Sequence, residues 1–137
     1  MIKGAETLRS KSGGVVVHYG KWAGKDVPAN GLYAPIAPSA ALGTGGAGAV
    51  CRGLTLTRTG AGLYTVAFVD GSVPHIFPCD FNVVSDVPQN VYILTKNAAT
   101  GTITISIVLA SNVATASDPD SADVIEAVVP ASEQGQP

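Results

Sequence analysis

Between residues 50 and 109 apolar and polar positions alternate with a period of two, the spacing that puts every second side chain on one face of a β-strand. In residues 50–57 Leu54 and Leu56 mark the apolar face, with Thr55, Thr57 and the following Arg58 available to the wet one. The turn Thr59-Gly60-Ala61-Gly62 follows, its glycines suited to the positive φ of a tight reversal. Residues 63–69 then put Tyr64, Val66 and Phe68 on one side and Leu63, Thr65, Ala67 and Val69 on the other. A second hairpin runs from residues 91–95 through Asn97-Ala98-Ala99-Thr100-Gly101 into residues 102–109. There Ile103, Ile105, Ile107 and Leu109 oppose Thr102, Thr104 and Ser106.

The remaining signals are shorter. Gly13-Gly14 opens a β-branched run at residues 15–19, Pro74 and Pro78 frame an extended edge piece at His75-Ile76-Phe77, and residues 81–85 read as a strand. Asp118-Pro119-Asp120 marks a turn, and residues 123–129 form a last strand or a turn and a half of helix. No segment carries a helical period. Many short strands between turn signals predict an all-β chain folded as a β-sandwich, with jelly-roll connections as one option. The expected organisation is an extended N-terminal arm at residues 1–12, one domain at 13–129 and a flexible tail at 130–137.

Residues 20–49 interrupt the alternation. They are dense in Gly, Pro and Ala, and Pro28, Pro35 and Pro38 deny a long helix. An irregular segment of this length in a compact domain is expected to bind something. Its apolar anchors Trp22, Leu32, Tyr33 and Ile36 are therefore the candidate interface residues, with packing on the domain's own sheet an equal alternative for Trp22.

Composition sharpens this picture. Of the 137 residues 46% are hydrophobic and only 13% charged, against about 25% charged in ordinary globular domains. A surface with so little charge suggests cover by partner subunits. The net charge of −2 and the scattered Lys3, Arg9, Lys11, Lys21 and Lys25 give no footprint for nucleic acid. No apolar run is long enough to cross a bilayer as a helix, and the first residues lack a secretion signal, so no membrane partner and synthesis in a cytoplasm are expected. Cys51 and Cys79 are then expected as buried thiols.

Candidate chemistry is thin. Gly43-Thr44-Gly45-Gly46-Ala47-Gly48 has dinucleotide-loop spacing, but a proline-rich stretch precedes it and an alternating strand follows, whereas that motif works between a strand and a helix. His18, Cys51, His75 and Cys79 lack the close pairs of a zinc site. Asp118, Asp120 and Asp123 are too few for a calcium loop and read as a solvated turn. No serine sits in a nucleophile elbow. The expectation is a protein that is not an enzyme and has no cofactor and no metal.

The stretches Leu54-Thr-Leu-Thr-Arg-Thr-Gly-Ala-Gly-Leu-Tyr-Thr-Val66 and Asn97-Ala-Ala-Thr-Gly-Thr-Ile-Thr-Ile-Ser-Ile107 resemble small β-rich virion proteins of tailed bacteriophages, over roughly the second half of the chain. That resemblance implies a capsid cement or decoration protein on the outer surface of the virion. It would bind the major capsid protein and form a homo-oligomer, a dimer or trimer. A tail or fibre domain that binds a receptor or carbohydrate is the alternative, and a small jelly-roll hydrolase a second one.

Overall fold

A computed structural model describes residues 14–36 and 51–132, and within them every regular element is a β-strand. One sheet, A, comprises β1 (Val15–Ala23), β3 (Cys51–Arg52), β6 (Asp80–Val84) and β10 (Val124–Ser132), in the order β3-β1-β10-β6. The other, B, comprises β2 (Gly31–Tyr33), β4 (Leu54–Gly60), β5 (Leu63–Phe68), β7 (Gln89–Asn97) and β8 (Thr102–Leu109), in the order β2-β4-β5-β8-β7. A further strand, β9 (Asn112–Ala116), pairs with the end of β8. All strand pairs are antiparallel, and the sheets pack face to face as a β-sandwich.

Alternation decides which face of each sheet turns inward. Leu54, Leu56, Tyr64, Val66, Phe68, Ile103, Ile105 and Ile107 of sheet B meet Trp22, Val83, Ile125, Ala127, Val129 and Ala131 of sheet A in one core. Each fully buried aliphatic side chain contributes about 1.5–3 kcal/mol. Across the gap the His18 ring meets Phe68 edge-on, centroids 4.7 Å apart. The chain steps from sheet A to sheet B at Gly53, whose φ of +78° suits glycine and whose missing side chain leaves room for the His18 ring.

Several boundaries differ from the sequence reading. β1 continues to Ala23, because Trp22 alternates inward with His18 and its indole lies across Gly20. Together with β2, this gives regular structure to part of the segment expected to be irregular; residues 37–50 lie outside the described residues, as do 1–13 and 133–137. The ambiguous final element is a strand, and it runs to Ser132, into the expected tail. It holds because β10 is flanked on both sides, by β1 and β6, and buries Ile125, Ala127, Val129 and Ala131. Pro130 is accommodated because its carbonyl accepts from Phe77 N and its neighbour Ser132 donates to His75 O, so the N–H it lacks is not needed by the β1 ladder.

Candidate functional site: an uncharged face and the clasp beneath its rim

The outward positions of sheet B form rows across the strands. Leu32, Thr57, Thr65, Thr104 and Thr95 make one row from β2 to β7. Thr55, Ala67, Thr102 and Asn97 make the next, and Leu63, Ser106 and Tyr92 a third. All are half-exposed or exposed, and none carries a charge. Strands about 4.8 Å apart and rows about 6.8 Å apart give a face of roughly 450 Å², the size of patch that on a monomer tends to be functional. Two of its hydroxyls have threonine partners: Thr95 Oγ1 lies 2.5 Å from Thr104 Oγ1, and Thr102 Oγ1 2.8 Å from Oγ1 of Thr100 in the adjoining turn.

Under one rim of this face lies a polar cluster. Arg58 has the parity of Leu54 and Leu56, so it points inward opposite Tyr64 rather than to the wet face where the sequence reading put it. Its guanidinium is mostly buried and donates from Nε (3.0 Å) and Nη2 (2.8 Å) to the two carboxylate oxygens of Asp118. The Tyr64 hydroxyl (2.8 Å) and Gly62 N (3.0 Å) donate to the same carboxylate, and Arg58 Nη1 donates to Asn30 Oδ1 at 2.6 Å. Asp118 is therefore the centre of a clasp and not a solvated turn residue. Gly62 is confined to glycine by its φ of +66° and by Ile107 O, 2.6 Å from where a Cβ would stand.

Burial would raise the Asp118 carboxyl, but the Arg58, Gly62 and Tyr64 hydrogen bonds outweigh it and hold the group below the usual carboxylate range. Burial, followed by the bond to this carboxylate, pushes the Tyr64 phenol up. Beside it Tyr33 packs edge-on, centroids 5.7 Å apart, its buried hydroxyl making no well-formed hydrogen bond among the described residues, while Lys25 Nζ lies 4.4 Å above the Tyr33 ring.

Of the four candidate interface residues, two lie in the chain's own core: Trp22 is 1% and Tyr33 2% exposed. Leu32 is 67% exposed and belongs to the threonine rows. Ile36 is half-buried, its N–H bonded to Lys21 O at 3.0 Å. The structure thus brings one of the four onto the uncharged face, beside threonines whose sequence signal was the same alternation that predicted the strands.

The other sequence motifs do not converge. The glycine-rich stretch at 43–48 lies outside the described residues. Cys51 and Cys79 are free thiols, each raised mainly by burial, and Cys79 Sγ donates to Phe77 O at 3.2 Å. His18 approaches Val129 O through Nδ1, and His75 packs edge-on against Phe77. Among the described residues no three His, Cys, Asp or Glu side chains gather as a metal site requires, and no helix is long and apolar enough to cross a membrane. No protein-family model, curated protein or solved structure matches this chain.

Proposed function

We propose that the protein is a structural subunit without catalytic activity that lies against a protein assembly through the outer face of sheet B. More particularly, it is a cement or decoration protein on the outside of a tailed-phage capsid, bound to the major capsid protein. The observation that carries the reading is the uncharged face: five strands whose outward positions hold threonine, serine, asparagine, alanine, leucine and tyrosine. Covering a charged face costs several kcal/mol per unpaired ion. Covering threonines buries methyl groups, and the Thr95 and Thr104 hydroxyls keep each other as partners. Such a face loses little when a protein surface replaces water.

The low overall charge points the same way, as does the resemblance of the two threonine-rich hairpins to virion proteins. The carbohydrate-binding alternative draws less support, since Trp22 and Tyr33, the aromatics it relied on, are buried. Quantitative mass spectrometry of purified phage particles tests the proposal. A fixed ratio of this chain to the major capsid subunit is expected in separated heads; its absence from heads, or its presence only in tails, overturns the assignment.

A further inference from the structure

Three of the four sheet ends are poor templates for another strand. β2 has three residues, β3 two, and β6 five, opening at exposed Asp80 just after Pro78. β7 differs, with nine residues hydrogen-bonded on one side only among the described residues. Tyr92 (47%), Ile93 (40%) and Leu94 (54%) stand exposed along it. Edges are normally protected by a bulge or a lysine. Both devices occur here, but late: the register shift falls between Ile93 and Thr95, and Lys96 follows. Gln89 to Ile93 are left open and carry no charge.

We infer that this edge pairs with the same edge of a second copy, antiparallel about a two-fold axis passing near Tyr92. A residue pairs there with its own symmetry mate, so Tyr92 faces the partner's Tyr92 and Val91 faces the partner's Ile93. Aromatic and β-branched residues directly opposite one another are the stabilising cross-strand combinations. Charge selects a second copy over an acidic or basic partner. The central stretch repels no like copy, while at each end Lys96 comes beside the loop carrying the partner's Asp86, giving two symmetric opposite-charge contacts. The closed two-fold arrangement sets the assembly at two. It also joins two threonine faces side by side in one continuous sheet.

Sedimentation equilibrium of the intact purified chain tests this without any shell, so its outcome is independent of the capsid assignment. The expected mass is twice the 13.8 kDa of one chain. Ile93→Lys, off the threonine face, should sediment as a monomer with its melting transition retained. Lys96→Asp and Asp86→Lys should each weaken the dimer by about tenfold, and the double swap should restore it. A wild-type monomer at about 0.5 mM, a trimer, or a dimer indifferent to both Ile93→Lys and the charge reversals overturns the inference.

Discussion

The two outer faces of the sandwich are built on the same alternation and finished differently. Across sheet A one row reads Lys21, Glu126, Asn82, with a Lys21–Glu126 ion pair at 3.4 Å and a hydrogen bond from Asn82 Nδ2 to the same carboxylate. The corresponding row across sheet B reads Leu32, Thr57, Thr65, Thr104, Thr95. Charges pay their way only while water reaches them, so this row is suited to stay wet, while the rest of the same face exposes Val15, Val17, Val84 and Val128. An uncharged row loses less than a charged one when protein replaces water above it, least where its hydroxyls are paired as at Thr104 and Thr95. The difference is one of what each face can afterwards tolerate, since both serve equally as the outside of a folded monomer.

Four perturbations separate the faces. The largest acts on what they share: Trp22→Ala removes the indole from the common core and should cost about 3–5 kcal/mol in denaturant unfolding, and with it any function of either face. Next is the clasp that ties sheet B's rim to the loop at Asp118. Asp118→Asn should lose about 2–3 kcal/mol at neutral pH, the worth of charge-assisted hydrogen bonds. Because the folded carboxyl titrates below its ordinary 3.8, its contribution is full above that value and lost as pH falls through the lower, folded one. Melting temperature in the wild type should therefore drop below about pH 4, and the variant should show a shallower drop.

The third perturbation tests the contrast directly. Thr57→Lys puts a charge into the threonine row and should reduce attachment to particles by more than about tenfold, a change of about 1.4 kcal/mol, with stability altered by less than about 1 kcal/mol. Equal loss from Glu126→Gln on sheet A would abolish the distinction between the faces. The smallest effect belongs to that variant: it removes one exposed ion pair, should change unfolding by about 0–1 kcal/mol, and should leave particle binding untouched.

The strands that sequence alternation marked most clearly, β4, β5 and β8, carry both the core and the threonine rows. Tyr64, Val66, Phe68, Ile103, Ile105 and Ile107 all lie inward as their spacing requires. Leu109 departs from the pattern, with Val108 buried instead, where β8 meets β9 and its register shifts. Arg58 is the instructive miss. Its parity with Leu54 and Leu56 was visible, but a lone charge at an inward position is acceptable only with a counter-ion, and Asp118 lies sixty positions away in sequence. Trp22 was ambiguous for the same reason: a large apolar side chain in a segment dense in Gly, Pro and Ala indicates burial without saying under what.

Sequence alone determined the all-β class and, apart from Arg58 and Leu109, which positions of β4, β5 and β8 turn inward, because period two depends only on neighbouring residues. Tertiary structure decided which rows lie side by side, that β10 is an interior strand, that Arg58 and Asp118 close a rim, and that β7 is the long open edge. Each of those depends on pairings between distant segments. Alternation assigns a side chain to one of two faces, and only the packing of strands shows what that face meets.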